Sequence, residues 1–261
     1  MCRHLVYLGP PAPLAALLFD PPHGLVRQSW APRDMRGGGT VNADGFGVGW
    51  YPDGPEAGEA RPIGVPAEPV RYRRATPIWA DAALPALAAS TRSGAVLAAV
   101  RSATVGMPVV ETAAAPFAEG RWLFSHNGVV PGWPESLVPL AEGLPLRDLL
   151  TLDAPSDAAL LWALVRHRLR TGVPPDLAVA ATVRMVAAAV PGARLNLMLT
   201  DGRTAVASTA GHALSVRSRP GSVLICSEPL DDDPAWTGVP DGQLVVATTN
   251  DLHLRPIGEL A

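Results

Sequence analysis

The chain contains no lysine, and all 21 of its strongly basic residues are arginine. They are balanced by 24 acidic residues, which gives a formal net charge of −3. This balance is not basic enough to indicate a nucleic-acid surface, and 48% hydrophobic residues exclude a disordered chain. Arginine without lysine is typical of a GC-rich genome. Bidentate anion contacts at many sites are the less favoured interpretation.

Cysteine and long apolar runs are also scarce. The two cysteines, Cys2 and Cys226, cannot build a disulfide framework. No window of about eighteen uncharged apolar residues is present, so no membrane span is expected. The opening apolar stretch is broken too early by Gly9-Pro10-Pro11 to be a signal peptide. We therefore expect a cytoplasmic protein whose thiols stay reduced.

Sequence motifs for metals and cofactors are missing as well. The six histidines are scattered, and no pair has the spacing of metal ligands. The chain has no Walker loop and no Gly-x-Ser-x-Gly elbow. The glycines of residues 45–49 do not form a dinucleotide fingerprint, because the third comes one residue early and no helix pattern follows. We expect neither a metal nor a cofactor.

The patterns that are present predict strands, then two adjacent helices, then more strands. Ser156 is a good N-cap for a helix that runs to about residue 170, and a second helix is predicted at 176–190. Shorter patterns predict a helix at 80–91 and strands at 3–8, 41–51, 95–100, 122–125, 194–200, 203–209, 212–218, 222–227, 243–249 and 251–256. Two proline-rich stretches, Pro52 to Pro77 and Gly128 to Leu150, are interpreted as loops.

This order is not the βαβα alternation of a doubly wound parallel sheet. It favours an α+β fold in which two stacked, mainly antiparallel sheets lie between helical layers, the αββα arrangement. Glycine at alternate positions, Gly45, Gly47 and Gly49, leaves one strand face bare, so another backbone or a ligand can approach it closely.

Cys2 carries the sequence's clearest chemical signal. If Met1 is removed, which is usual when a small residue follows, the chain begins with a thiol and a free α-amine on one residue. An ordinary α-amine has a pKa of about 8, so near neutral pH a useful fraction can accept a thiol proton. Such a pairing is a recognised route to acyl transfer. The alternative is that the second residue is a cysteine without a function.

Other segments of the chain favour the functional interpretation of Cys2. A set of segments, in this order and spacing, resembles the class II glutamine amidotransferases, which are N-terminal nucleophile hydrolases. The segments are Cys2-Arg3-His4-Leu5, residues 42–50, residues 99–106, Pro116-Phe117 and residues 124–128. The resemblance implies one glutamine amidotransferase type-2 domain over residues 1–261, with the four-layer αββα fold.

The chain is similar in particular to a branch of that family that acts in ergothioneine biosynthesis. The similarity lies in residues 2–5, Asp20-Pro21-Pro22, residues 99–107 and residues 226–233. It implies hydrolysis of γ-glutamyl-hercynylcysteine S-oxide to glutamate and hercynylcysteine S-oxide through a Cys2 thioester. Because the chain ends where such a domain would end, we expect a stand-alone hydrolase. A glutaminase subunit that supplies ammonia to a separate synthase, and a non-catalytic binding protein, remain as alternatives.

The resemblance also assigns roles to residues. Cys2, Asn127 and Gly128 are implied as nucleophile and oxyanion donors, and Arg101, Thr104 and Asp157 as substrate-binding residues. Each assignment has a plainer alternative. Asn-Gly is the strongest signal for a type I′ turn, Arg101 can form a surface ion pair at a strand end, and Asp157 can offset a helix dipole.

The expected partner is a small γ-glutamyl substrate, with no nucleic acid and no membrane, and homo-oligomerisation is left open. The cationic hercynyl half needs an aromatic face or an acidic rim. Candidates are Trp30, Trp50, Trp79, Trp236 and Asp231 to Asp233, although each is more often a core or surface residue. Cys226 is expected in the core and His126 in a structural role.

Overall fold

The computed structural model describes residues 2–34, 36, 41–52 and 68–259. Within these ranges the strands, in chain order, are β1 (Arg3–Pro13), β2 (Phe46–Trp50), β3 (Val70–Arg74), β4 (Arg92–Val100), β5 (Phe117–Glu119), β6 (Trp122–Val129), β7 (Arg194–Thr200), β8 (Ala205–Ser208), β9 (Ser215–Arg219), β10 (Ser222–Cys226), β11 (Thr237–Gly238), β12 (Gln243–Ala247) and β13 (Leu252–Pro256).

The α-helices are mostly short, and two of them are long. They are α1 (Ala15–Leu18), α2 (Leu25–Gln28), α3 (Leu84–Ser90), α4 (Val138–Ala141), α5 (Leu146–Leu150), α6 (Asp157–Arg170) and α7 (Pro175–Ala189). Ser156 caps α6, as predicted, because its side chain accepts a hydrogen bond from the Ala159 N–H. Among the described residues, no helix combines the length and apolarity needed to cross a membrane.

The strands form two sheets whose pairs are all antiparallel. One sheet has the order β11-β9-β10-β1-β4-β2-β3, and the other has the order β13-β12-β8-β7-β6-β5. The alternation of side chains decides what each face of a sheet buries. On β1, Val6 packs between the two sheets with residues such as Leu123 and Met198. Its neighbour Leu5 packs on the other face.

Helices cover the outer face of each sheet. The short helices α1, α2 and α3 bury Leu17, Leu25 and Leu84 against the outer face of the first sheet. The long helices α6 and α7 bury apolar residues against the outer face of the second sheet, where Trp162 stacks on Phe124. The molecule therefore has four layers in the order α, β, β, α, and the predicted fold class is confirmed.

The two predicted loops are partly wrong. Of the stretch from Pro52 to Pro77, residues 53–67 lie outside the described residues, and Val70–Arg74 forms the strand β3. This strand pairs with β2 at the edge of the sheet, where charged side chains such as Arg71 and Arg73 are common. The stretch from Gly128 to Leu150 contains α4 and α5. Local composition missed these elements because sheet pairing and packing stabilise them.

The alternate glycines of β2 do allow a close approach, as expected. A Cβ atom on Gly47 would lie 2.3 Å from the carbonyl oxygen of Ala115, and one on Gly49 would lie 2.7 Å from the Leu123 side chain. Both contacts are far inside van der Waals distance. Missing side chains thus let β2 lie directly against the segment that begins the second sheet.

Candidate active site

The register of the first sheet brings Cys2 and Arg101 together. In the antiparallel pair β1–β4, Arg3 lies opposite Val100, so Cys2 precedes one strand at the place where Arg101 follows the other. Both residues line a cavity whose volume, mouth included, is about 490 Å³.

All of the predicted site residues except Asn127 line this cavity. They are Cys2, Arg101, Thr104, Gly128 and Asp157. The remaining wall is mixed in polarity and includes Ser102, Met107, Ala115, Phe117, His126 and Ser156. Residues far apart in sequence therefore meet at one end of the stacked sheets, close to the start of α6.

The Cys2 thiol is half-buried at the cavity wall. Its Sγ lies 3.8 Å from the carbonyl oxygen of Ser102, a weak S–H···O contact. The loop that carries Ser102 is held by Asp44, whose Oδ2 accepts a 2.7 Å hydrogen bond from the Ala103 N–H. The Asp44 N–H in turn donates to the carbonyl oxygen of Arg101 at 3.0 Å. Asp44 thus shapes the wall next to the thiol.

Arg101 is buried, not at the surface. Its guanidinium donates a 2.8 Å hydrogen bond to the carbonyl oxygen of Pro108. No carboxylate among the described residues lies within ion-pair distance of it, so the surface ion pair considered for this residue is wrong. The Arg101 charge is therefore available to an anion in the cavity. Thr104 is exposed at the rim, where its carbonyl oxygen accepts a hydrogen bond from the Met107 N–H.

Asn127 and Gly128 lie within β6, paired with Asn196 and Leu195 of β7. The type I′ turn considered for this dipeptide is therefore wrong. Gly128 is required where it stands, because a Cβ atom there would lie 1.8 Å from the carbonyl oxygen of Arg194. The strong local signal of Asn-Gly for a turn is overridden by the pairing of the two strands.

The Asn127 side chain is not among the residues that line the main cavity. Successive side chains of a strand alternate between faces, and Asn127 lies on the face between the sheets. There it lines a smaller adjoining cavity with Arg3, His212 and Ser227. Its Nδ2 donates a 3.3 Å hydrogen bond to Ser227 Oγ, and its Oδ1 is buried with no partner among the described residues.

Asp157 occupies the first turn of α6 and also faces the cavity. Its Oδ2 accepts a 3.0 Å hydrogen bond from the Val130 N–H, and its Oδ1 accepts a 2.7 Å hydrogen bond from the Ala158 N–H. The two interpretations of this residue are thus compatible. A carboxylate oxygen has more than one lone pair, so Asp157 can still accept from a cation in the cavity.

Buried histidines surround the start of β1. Burial lowers the pKa of His4 to about 3, and the neighbouring His126, His212 and Arg3 add to the effect. Burial, with help from Arg194 and Arg3, likewise lowers the pKa of His212 to about 3. Histidines with such pKa values are weak bases, so they are poorly suited to accept a thiol proton at neutral pH.

Arg3 connects Cys2 to a buried carboxylate. Its guanidinium donates to the carbonyl oxygen of Cys2 at 3.0 Å and to Glu228 Oε1 at 2.8 Å. Glu228 Oε2 also accepts from His23 Nε2 and from the Arg33 N–H, both at 2.7 Å. The backbone of Cys2 is therefore tied to the segment that follows β10.

The tryptophans suggested for contact with a cationic substrate group are Trp30, Trp50, Trp79 and Trp236. Among the described residues, none of the four lines the cavity that contains Cys2. Arg217 lies over the Trp236 ring, and the indole N–H of Trp236 donates to Asp231. Cys226 is fully buried in the core, as predicted. His126 Nε2 donates a 2.9 Å hydrogen bond to the carbonyl oxygen of Arg194, which agrees with the structural role expected of this histidine.

Sequence reasoning missed Ser227, Glu228 and His212 as members of the site's surroundings. No spacing rule points to them, because they reach β1 and β6 only through sheet pairing. Their one sequence signal is that Ser227 and Glu228 lie in the segment 226–233, which contributed to the family resemblance.

The comparisons with known proteins agree with this geometry. The profile of the class-II glutamine amidotransferases matches residues 13–222. The chain is 42% identical to the γ-glutamyl-hercynylcysteine sulfoxide hydrolase of Mycolicibacterium smegmatis over 245 residues, which are 94% of this chain and 95% of that protein. It is 40% identical to the protein of the same name from Mycobacterium tuberculosis, over 98% of this chain and 97% of that one.

A solved structure shows the same fold. A class-II glutamine aminotransferase domain protein from Silicibacter pomeroyi is 26% identical and superposes with a TM-score of 0.66. The superposition covers 98% of this chain and 99% of that one.

Proposed function

Since the chain belongs to the class II glutamine amidotransferase family, we propose that it is an amidohydrolase specific for a γ-glutamyl amide. Its substrate is γ-glutamyl-hercynylcysteine S-oxide, which it cleaves to glutamate and hercynylcysteine S-oxide. Two relatives that are 40% or more identical over nearly the whole chain carry the name of this activity. The proposal treats residues 1–261 as one domain of this type.

The observation that carries the proposal is the meeting of Cys2, Arg101 and Asp157 in one cavity. A γ-glutamyl group ends in an α-carboxylate and an α-ammonium. The planar guanidinium of Arg101 suits the carboxylate, and the Asp157 carboxylate suits the ammonium. Thr104 assists at the rim. This pair of opposite charges fixes the glutamyl end so that its side-chain amide extends toward the thiol.

The chemistry follows from the first residue of the trimmed chain. The α-amine of Cys2 takes the thiol proton, and Sγ attacks the γ-carbonyl carbon to form a C–S bond. The resulting oxyanion is stabilised by the Gly128 N–H and by the Asn127 side-chain amide, and such donors are each worth about 10²–10³ in rate. Collapse breaks the C–N bond as the proton passes to the leaving amine. Water then hydrolyses the thioester, which releases glutamate and regenerates the thiol.

Mass spectrometry of the intact protein tests this proposal. Wild type, Cys2→Ala and Cys226→Ala are each incubated with γ-glutamyl-hercynylcysteine S-oxide, and Cys226 is the matched control because it lies in the core. We expect wild type and Cys226→Ala to lack Met1, to carry a transient glutamyl adduct and to release glutamate. Cys2→Ala should do neither of the last two.

Two outcomes contradict the proposal. Glutamate release by Cys2→Ala at the wild-type rate removes Cys2 from its role, and so does a fully active protein that retains Met1. Faster release of ammonia from glutamine than of glutamate from the sulfoxide would instead favour a glutaminase that supplies ammonia to a separate synthase.

A further inference from the structure

Ser227 contacts both β1, the strand that begins directly after Cys2, and the Asn127 side chain of β6. It follows β10, which pairs with β1 so that Cys226 lies opposite Leu5 and Ser227 reaches His4. The Ser227 N–H donates to the carbonyl oxygen of His4 at 2.9 Å. Ser227 is buried, with 2% of its surface exposed. It is therefore fixed to the strand that begins directly after Cys2.

The hydrogen bonds of the Ser227 hydroxyl determine where it donates and where it accepts. Its Oγ accepts from the His4 N–H at 3.0 Å and donates to the His4 carbonyl oxygen at 3.3 Å. A hydroxyl has one hydrogen to donate and two lone pairs to accept with. With its hydrogen given to His4, Ser227 can contact Asn127 only as an acceptor. Its second lone pair accepts from Asn127 Nδ2 at 3.3 Å.

This contact fixes which end of the Asn127 amide faces Ser227. An amide NH₂ group has two hydrogens. One is held by Ser227, and the other has no partner among the described residues. The opposite end, Oδ1, has no partner among the described residues, so no other described contact holds the amide in this orientation. Without Ser227, the amide can rotate and present an oxygen where a donor is needed.

We propose that Ser227 is a positioning residue, which holds the Asn127 amide with a hydrogen directed at the oxyanion and ties it to the strand that carries the nucleophile. The inference rests on the proposed function of this site, because it assigns Asn127 the role of oxyanion donor. Ser227 itself touches neither the substrate nor the reacting atoms. It acts through Asn127.

Steady-state kinetics of single and double variants test the role. Ser227→Ala is expected to lower kcat for glutamate release by about tenfold or more, which is less than the 10²–10³ of a complete donor loss, while KM changes by less than about threefold. In Ser227→Ala/Asn127→Ala, the loss should equal that of Asn127→Ala alone, since residues that act through one another are not additive.

Ser208 provides a matched control. It is also a fully buried serine whose hydroxyl bridges two main-chain groups, accepting from the Leu197 N–H at 2.9 Å and donating to the Leu195 carbonyl oxygen at 2.7 Å. Ser208→Ala should lose stability as Ser227→Ala does and keep wild-type kcat. Ser227→Cys, which keeps the volume but is a poor hydrogen-bond partner, replaces Ser227→Ala if the latter does not fold.

A readout that needs no turnover separates this inference from the proposed function. The side-chain amide resonances of Asn127, identified by their loss in Asn127→Ala, should shift in Ser227→Ala and not in Ser208→Ala. Unshifted resonances, a kcat within twofold of wild type, or multiplicative losses in the double variant overturn the inference. If wild type releases no glutamate from the sulfoxide, it is the proposed function that is overturned.

Discussion

At the scale of single residues, the site depends as much on missing side chains as on reactive ones. Gly128 lies in a strand and not in a turn, and the carbonyl oxygen of Arg194 occupies the place where a Cβ atom would be. A glycine here is therefore a packing requirement. It also keeps the proposed Gly128 N–H donor at the wall of the cavity.

Gly128→Ala should accordingly damage both the fold and the reaction. A Cβ atom placed 1.8 Å from the Arg194 oxygen forces β6 and β7 apart, so the proposed donor moves away from the oxyanion. We expect the rate of glutamate release to fall by about 100-fold or more, with a lower free energy of unfolding. Gly238→Ala is the control, since no heavy atom of the part of the chain that the structure describes lies within 4 Å of the Cβ position of this strand glycine. A Gly128→Ala enzyme within threefold of the wild-type rate would contradict the prediction.

At the scale of secondary-structure elements, the site forms where the ends of several elements meet. The start of β1 supplies Cys2, the end of β4 supplies Arg101, and the first turn of α6 supplies Asp157. The beginning of helix α6 is fixed by a side chain, because the Ser156 hydroxyl accepts from the Ala159 N–H at 3.3 Å. The position of the Asp157 carboxylate thus depends on a cap.

Ser156→Ala is expected to lower the free energy of unfolding by about 1 kcal/mol, the usual cost of removing an N-cap. It should also raise KM for the γ-glutamyl substrate, because the first turn of α6 can then fray. Urea denaturation and steady-state kinetics measure the two effects. Ser90→Ala is the control. Ser90 is exposed near the end of α3, and its hydroxyl donates to the carbonyl oxygens of Ala86 and Leu87 in its own helix. Equal losses of stability in both variants would count against the capping role.

At the scale of the whole molecule, the two sheets enclose groups that must stay in one charge state. His4 and His212 are buried and neutral, since burial lowers the pKa of each to about 3 from an ordinary 6.5. Burial alone would raise the pKa of Glu228, but hydrogen bonds from His23 and the Arg33 N–H, with the charge of Arg3, lower it below its usual value. All three groups take up protons more readily in the unfolded chain.

Acid should therefore destabilise the protein over a defined range. Below pH 6.5 the unfolded chain binds protons at His4 and His212, whereas both histidines stay unprotonated in the folded chain. The free energy of unfolding therefore falls as the pH drops from about 6.5 toward 3. Each histidine contributes a slope of about 1.4 kcal/mol per pH unit in that range. The carboxylate of Glu228 adds a loss below its ordinary pKa of 4.5.

Urea denaturation at a series of pH values measures this slope. His212→Gln should reduce this slope by the contribution of one histidine, about 1.4 kcal/mol per pH unit, whatever the effect of the substitution on stability at neutral pH. His253→Gln, in which an exposed histidine of β13 is replaced, is the matched control. A His212→Gln slope equal to that of wild type would show that this histidine does not stay neutral in the folded state.

Much of the architecture followed from the sequence. Periodicity and capping placed α6 and α7 within a residue of their observed starts, and turn signals separated the strands that follow. These features depend on local interactions, which a pattern of neighbouring residues contains. The strand β3 and the helices α4 and α5 were missed, because their stability comes from contacts with distant parts of the chain.

The sequence by itself determined that a thiol at position 2 can be activated by its own α-amine and, through the family resemblance, which residues could join it. Only the tertiary structure decided that Arg101 is buried beside Cys2, that Asn127-Gly128 is in a strand and not a turn, and that the Asn127 amide donates to Ser227. The reason is physical. The chemistry of a side chain is fixed by its covalent structure, whereas its neighbours and its hydrogen-bond partners are set by strand register and by the stacking of the two sheets.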